Sequence, residues 1–525
     1  MDKIITQQLT DIANTFRERH LCALFEADPS RGRRYYVETA NLWLNYSRNH
    51  LDDSAIEHLL MLANKSALDE KRQALFSGET LNQSETRAAK HTLLRAPLKP
   101  HDADSVEIHQ VLKQMASFVA DIQSNQIIAD TVITDVVCIG IGGSELGTRI
   151  VHQALSASMR PRVQLHFLAN IDGTAAKSVM RRVTKESTLF LITSKTFTTI
   201  ETLQNFATLK AWFTQDFTEQ AFMKRCYAIT ANPDAAIDLK FENKQIFKFW
   251  DWVGGRFSLW SAVGLPIAIA YGMETFSELL AGANQMDGHF LHTPFHENLP
   301  VMLALIHIWY GNFLGYPTRA VIPYAQKLEK FPAYLQQLEM ESLGKSIDIE
   351  GQRLQYPTSP IIWGSAGSNG QHAFFQLLHQ GSQIVPVDFI AALEPEHEFV
   401  DHHNALLANC LAQSQTLMTG GAIDKKEHGH FNGNRPSNFI LMQKLTPFCL
   451  GQLLALYEHK VFTQSVIWNI NAFDQWGVEL GKRIASDILA HQTPNRPMTF
   501  ADIQATFSHP HCADGKNTPD CDDSA

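Results

Sequence analysis

An α/β protein with two parallel-sheet domains in series is predicted by three features of the sequence. From about residue 130, short apolar runs alternate with stretches of helical period. The same order of elements recurs in the second half. The 525 residues are too many for one hydrophobic core and call for roughly two to four domain-sized units.

The elements follow in order. Residues 1–118 read as helical, with alternating charged and apolar faces; at the N-terminus Ile5, Leu9, Ile12 and Phe16 share one face, the mark of an amphipathic helix and not of a signal peptide. Strand-like runs then fall at 136–141, 163–169, 189–193 and 226–230, with a helical segment at 201–215 between two of them. Strands alternating with helices predict βαβ units and a parallel sheet covered on both faces. The second series has strands at 319–322, 360–363, 383–389 and 439–443, with helices at 372–379 and 447–461. After about residue 493 the composition shifts and the apolar period is lost, which reads as a loose surface extension. The organisation expected is therefore 1–118, 119–285, 286–492 and a tail at 493–525.

Apolar residues make up 45% of the chain and charged residues 19%, a globular composition. A net charge of −10 argues against a general nucleic-acid binder and leaves room for a locally basic site that takes an anionic substrate. The two longest uncharged stretches, 257–270 and 301–317, fall short of the ~20 apolar residues of a membrane span and predict buried helices. Seven cysteines at irregular spacing, with no CxxC pair, suit free thiols in a reducing compartment.

Six segments carry candidate chemistry. VVCIGIGGSELG (136–147) runs a strand through clustered glycines into a helix. It suits either a ligand-binding loop or a structural turn, and it lacks both the third glycine of a dinucleotide fingerprint (Glu145 stands there) and the lysine of a Walker loop. TSKTFTTIET (193–202) sets Ser194, Thr196, Thr198 and Thr199 beside Lys195 at a helix start. A cap needs one hydroxyl, so four with a lysine favour a phosphate cradle. In FWDWVGGRFSLWS (249–261), Arg256 is the one Lys or Arg between Lys248 and Arg319, and spacing leaves a structural ion pair and a functional charge equally open. In QQLEMESLGK (336–345), Glu341 and Lys345 stand four apart, and spacing favours a surface ion pair. GSAGSNGQHAFFQLLHQG (364–381) carries His372 and His379, seven apart and too distant for one metal site. NAFDQWGVELGK (471–482) crowds aromatic, acidic, amide and basic residues on an expected helix.

Taken together and in this order, SKTFTT with ETLQN, FWDWVGGR with SLWSAVGLP, NGQHAFFQLLHQG, GNRPSN and FDQWGVELGK resemble the glucose-6-phosphate isomerase (phosphoglucose isomerase) family, from about Val136 to Lys482. The resemblance implies two sugar-isomerase (SIS) domains at 119–285 and 286–492, each a parallel sheet between helix layers, with the N-terminal segment packing on the second. It implies a cytoplasmic enzyme of glycolysis and gluconeogenesis, a homodimer with shared active sites, no metal and no organic cofactor, and neither nucleic acid nor membrane as partner. By position, Glu341 would be the base and His372 and Lys482 the ring-opening pair, His372 coming from the partner subunit. Ser194, Lys195, Thr196 and Thr199 would hold the phosphate, Gly143 and Ser144 would contact the sugar, and Arg256 would stand beside the reacting carbons. Gln337 and Gln475 would be ligand contacts. The sequence departs from the family pattern at Glu145, Ile200, Phe257, Leu343 and Gly367–Ser368, where the family usually has Asp, Gln, Tyr, Asn and a Gly-Thr pair. A related isomerase that also accepts mannose 6-phosphate would share the same enediol. A non-catalytic sugar-phosphate sensor would be expected to lack Glu341, His372 or Lys482, and all three are present.

Overall fold

A computed structural model describes residues 1–128, 131–490 and 497–508. Met1–Asp474 pack as one compact unit, and the described residues from Gln475 onward form a second. The expected positions Cys512 and Cys521, with most of the 493–525 tail, lie outside the described residues.

Two sheets organise the first unit. The first contains β3 (Asp135–Ile139), β4 (Gln164–Leu168), β5 (Thr188–Thr193), β6 (Cys226–Thr230) and β7 (Ile246–Lys248) in the order β4-β3-β5-β6-β7, all parallel. Both faces are buried, as parallel sheets require. Val136, Cys138, Leu189 and Leu191 pack in one core with Ile150, Val151 and Ala154 of the helix Leu146–Ser156. Their neighbours Val137, Ile139, Phe190 and Ile192 pack in another with Phe206, Leu209 and Phe213 of the helix Ile200–Phe213. That strict alternation is the period of two of a strand. All six residues of β5 are buried, which is why its sequence, TLFLIT, reads as one apolar run.

The second sheet has the order β1-β2-β13-β10-β8-β9, from β1 (Tyr36–Thr39), β2 (Leu42–Asn45), β8 (Thr318–Pro323), β9 (Ile361–Gly364), β10 (Val387–Ala392) and β13 (Ser437–Met442). The last four are parallel; β1 and β2 form an antiparallel hairpin that adds to β13. A separate two-stranded ribbon joins β11 (Gly421–Ala422) to β12 (His430–Phe431). The hairpin corrects the helical reading of residues 1–118: Tyr36, Val37, Leu42, Trp43 and Leu44 are aromatic, β-branched or apolar residues that fit a pleated surface, in runs of four too short to show a period. The N-terminal helix Lys3–Phe16 matches expectation, with Ile5, Leu9, Ala13 and Phe16 buried.

Three further differences have local causes. The expected helix over 372–379 is split into Gly367–Gln371 and Phe375–Gln380. The helix expected at 471–482 begins only at Glu479, because Asn471 turns its amide onto Asn82, Ser84 and Asp474 and holds the preceding chain irregular. The tail carries a helix, Phe500–Ser508, started by a reciprocal pair: Asp502 N donates to Thr499 Oγ1, and Thr499 N donates to Asp502 Oδ2 at 2.7 Å.

Both uncharged stretches contribute buried helices, Leu265–Tyr271 and Leu299–Ile308, and no helix among the described residues is long and apolar enough to cross a membrane. The helix Pro447–Ile467 is buried almost throughout and crosses Met273–His292 at very short range. Glycine sets that range from both sides: a Cβ on Gly282 would overlap the Phe448 carbonyl, and one on Gly451 would overlap the Leu279 carbonyl. Gly282→Ala is therefore expected to cost about 1–3 kcal/mol as overpacking, read as a lowered urea midpoint; an unchanged midpoint would show that the helices separate freely.

Candidate active site

The strand order places a crevice before any side chain is considered. The chain leaves β3 towards β4 and leaves β5 towards β6 on the opposite side. In an open parallel sheet, ligands bind beyond the carboxyl ends of two such neighbouring strands. The loops that follow β3 and β5 hold Gly143–Ser144 and Ser194–Thr199.

The loop after β3 leans on two others. Gly142 has φ +62°, and a Cβ there would lie 3.1 Å from Gln337 Nε2. A Cβ on Gly143 would overlap the Gly255 carbonyl group, so only glycine lets this loop meet the Gly254–Arg256 turn backbone to backbone. Ser258 Oγ lies 2.6 Å from Gly255 O and 3.2 Å from Gly143 O, so its one hydroxyl hydrogen is shared across this contact. Ser144 sits half-buried at its end. Glu145, the departure in this turn, is buried and paired with Arg149.

The loop after β5 gathers hydroxyls, backbone amides and one lysine. Ser194 Oγ and Thr199 Oγ1 are 2.9 Å apart, and Phe197 N donates to Ser194 Oγ at 3.1 Å. Thr196 and Thr198 pair their hydroxyls at 2.8 Å. Phe197 takes φ +57°, a left-handed turn that folds the segment back on itself. Thr199 stands at the N-cap of Ile200–Phe213, yet its side chain makes no capping bond, so the helix presents its amides to the loop. Lys195 Nζ donates to the carbonyls of Asp251 (2.6 Å) and Val253 (3.0 Å). Burial, and then the nearby Arg87 charge, pull its ammonium down to about 8. Arg87, which no motif singled out, lies 3.9 Å from the Asp251 carboxylate on the same side.

Arg256 joins three distant segments. Its Nε donates to Ser342 Oγ at 2.6 Å, and Nη2 donates to the carbonyls of Ala472 (2.5 Å) and Asp474 (3.0 Å). Nη1 lies 3.7 Å from Glu341 Oε2. Arg256 as a residue is 5% exposed; burial lowers its pKa, and Glu341 and Asp474 oppose that, so it stays charged. It is a structural tie that also stands beside the Glu341 carboxylate.

Glu341 ends a π-helical turn, Gln336–Glu341. Its Oε2 is buried without a hydrogen-bond partner, while the residue as a whole is partly open. The ion pair that spacing suggested with Lys345 does not form. Lys345 Nζ instead donates to the carbonyls of Asn471 (2.7 Å), Ser342 (2.8 Å) and Glu341 (3.3 Å) and pairs with Asp474 at 3.2 Å. The reason is geometric: the helix ends at Gly344, so the lysine turns onto the free carbonyls of its last turn. Leu343 is fully buried in the main core. The polar surroundings of Glu341 come from Arg256 and the Lys345-bound backbone, and no side chain at 343 contributes to them.

The structure thus brings together Gly143, Ser144, Gln337, Arg256 and Glu341, with the Ser194, Lys195, Thr196 and Thr199 loop tied in through residues 251 and 253. His372 stands exposed at the end of Gly367–Gln371 and, among the described residues, makes no side-chain hydrogen bond to this group. His379 is a satisfied core residue, bonded to Gln413 at 2.7 Å. Gln475 and Lys482 belong to the second unit; Lys482 lies on the helix Glu479–Ala490, paired with Glu479 at 2.9 Å. Ser342 and the Ala472 and Asp474 carbonyls, which hold Arg256, carry no signal in a sequence beyond adjacency to the motifs.

A buried carboxylate oxygen with no hydrogen-bond partner thus faces a cation that does not titrate, and a hydroxyl-rich loop with a lysine lies alongside. Over 97% of its length the chain superposes on 99% of the crystal structure of a glucose-6-phosphate isomerase from Chlamydia trachomatis, with a TM-score of 0.88 at 33% identity. Fold and site together define an isomerase of the two-sheet α/β class. The family model described as "Phosphoglucose isomerase" matches residues 45–506, and the chain belongs to that family. It is 46% identical over 480 residues to a glucose-6-phosphate isomerase of Cupriavidus metallidurans, covering 88% of this chain and 89% of that one. It is 47% identical over 484 residues to glucose-6-phosphate isomerase 1 of Chromohalobacter salexigens, covering 90% and 88%.

Lys195 gives the loop a pH dependence. Below about pH 8 the ammonium is charged and attracts an anion; above it, the charge is lost. KM for a phosphorylated substrate is expected to be flat from neutrality to about pH 8 and then to rise by up to about tenfold per pH unit. Lys195→Arg, which keeps its charge, should remove the rise. A wild-type KM flat to about pH 9.5 would separate Lys195 from anion binding.

Proposed function

We propose that Glu341 and Arg256 carry out the reversible isomerisation of glucose 6-phosphate to fructose 6-phosphate. The chain is an intramolecular aldose–ketose isomerase of glycolysis and gluconeogenesis. The observation that carries the assignment of roles is the buried, unpartnered Oε2 of Glu341, 3.7 Å from Arg256 Nη1.

In this reading the phosphate seats on Ser194, Lys195, Thr196 and Thr199, and its binding orients the remote sugar. Gly143, Ser144, Gln337 and Gln475 contact the sugar. His372 and Lys482 move protons between the ring oxygen and the C1 hydroxyl, opening the ring. Glu341 takes the proton from C2 and returns it to C1 through a cis-enediol or enediolate. General-base help of this kind is worth about 10²–10⁴ in rate. The developing negative charge falls beside Arg256, whose bonds to Ser342, Ala472 and Asp474 hold it in place before the reaction begins, so little reorganisation is needed.

We also assign a homodimer in which His372 of the partner subunit completes each site. The exposure of His372 in this chain supports that reading. The two sheets serve as the cores of sugar-isomerase domains at 119–285 and 286–492, with the helix Met273–His292 crossing from one to the other. Pairing of the β1–β2 hairpin with β13 supports placing the N-terminal segment on the second domain. A cytoplasmic location accords with this metabolic role and with the free thiols of Cys22, Cys138, Cys226, Cys410 and Cys449.

Glu341→Gln should retain binding of a non-reacting sugar phosphate and lower kcat by about 10²–10⁴; near-normal turnover would remove Glu341 from the role of base. With C2-deuterated glucose 6-phosphate, part of the label should wash into solvent and part should appear at C1. Complete transfer without washout would point to hydride migration and against an enediol.

A further inference from the structure

Behind the proposed base lies a group of buried charges that takes no part in the proton transfer. The π-helical turn Gln336–Glu341 sets Gln337 against Gly142 and Glu341 against Arg256. Glu339, between them, points the other way and is fully buried. Its Oε1 accepts from Arg319 Nη2 at 2.5 Å, and its Oε2 pairs with Lys460. Arg319 comes from β8 and Lys460 from the helix Pro447–Ile467. Arg319 is also bonded to His307 and stands 3.5 Å from Asp388 on β10. His307 Nε2 and Asn438 Nδ2 reach Asp388 Oδ1 at 3.2 Å and 2.8 Å.

Two carboxylates and two cations balance one another, and burial keeps His307 neutral. A balanced buried cluster is poor evidence of stabilisation, since well-packed apolar residues often serve as well or better. It does impose direction. A π turn lacks the regular i→i−4 ladder that fixes side-chain angles in an α-helix, and such turns recur at functional sites. Here the missing constraint is replaced by two charge-assisted bonds to one carboxylate, from two elements outside the turn.

We infer that Glu339 is a positioning residue, whose tether to Arg319 and Lys460 holds the π turn in the register that aims Glu341 at Arg256 and Gln337 at Gly142. The inference rests on Glu341 being the base. Misplacing a reacting group by about 1 Å costs roughly 10²-fold in rate, and shortening Glu339 by one methylene shifts the turn on that scale.

The test compares four variants of the full chain. Glu339→Asp is expected to lose about 10–100-fold in kcat, with KM within about twofold, and to alter the partition of C2 deuterium between washout and transfer to C1. Asp388→Asn removes a charge from the same cluster while leaving both bonds to Glu339 in place, and should leave kcat per folded enzyme and the label partition near wild type. The double change Glu339→Gln with Lys460→Met keeps the cluster neutral; it should recover thermal stability without recovering kcat. Glu341→Gln reports separately on the base: if it turns over normally, that assignment fails whatever Glu339 does. If Glu341→Gln is inactive while Glu339→Asp and the neutral double keep wild-type kcat and label partition, the positioning role is overturned. It is equally overturned if Asp388→Asn matches the kcat loss of Glu339→Asp, or if both Glu339 variants fail to fold while Asp388→Asn folds, since either result makes the tether merely structural.

Discussion

The Arg256 guanidinium is the constraint on which the site depends. An isolated cation in an apolar interior is prohibitively costly, so it must be met by acceptors on every side that water does not reach. Here they come from the Ser342 hydroxyl and the carbonyls of Ala472 and Asp474, segments more than a hundred residues apart in the chain. Satisfying one charge therefore fastens the Gly254–Arg256 turn, the end of the π turn and the chain before the second unit to a common point. Arg256 Nη1 stands 3.7 Å from Glu341 Oε2. Folding and the proposed chemistry draw on the same group, and its non-titrating character keeps that arrangement intact across the working pH range.

A related logic runs through the helix Pro447–Ile467. Three consecutive residues, Glu458, His459 and Lys460, are all buried on it. Glu458 accepts from Arg95 and from Trp260 Nε1 at 2.8 Å, and His459 meets Asp287, which also chelates Arg95 through Nε and Nη2. Lys460 reaches the opposite way, to Glu339. One helix thus ties the N-terminal segment and Met273–His292 on one side to the turn that carries the proposed base on the other. The close glycine contacts at Gly282 and Gly451 bring its backbone near enough for these bonds to reach. Removing one partner from such a cluster strands a buried charge, at a cost of about 3–5 kcal/mol.

Several elements were legible because a single physical rule dominates each. The strands of both sheets announce themselves as apolar runs, since covered parallel strands admit little else. The Ser194–Thr199 loop is visible because four hydroxyls exceed the needs of a cap. The β1–β2 hairpin was hidden by its length, and Asn471–Val478 by side-chain bonds to backbone and neighbours that outcompete the helix. For Glu341, spacing pointed to a surface pair with Lys345. Only the early helix end and the buried carbonyls that capture the lysine free the carboxylate for Arg256.

By itself, the sequence determined the α/β class, the alternation of elements and, through an ordered set of motifs, the family. Those properties rest on short-range pattern, where neighbours along the chain decide the outcome. Only the tertiary structure decided what each charge does: which cation Glu341 faces, what holds Arg256, and why Glu339, two residues from the proposed base, turns into the core. Partners in a low-dielectric interior are chosen by proximity across elements brought together in folding, and one-dimensional spacing carries no record of that choice.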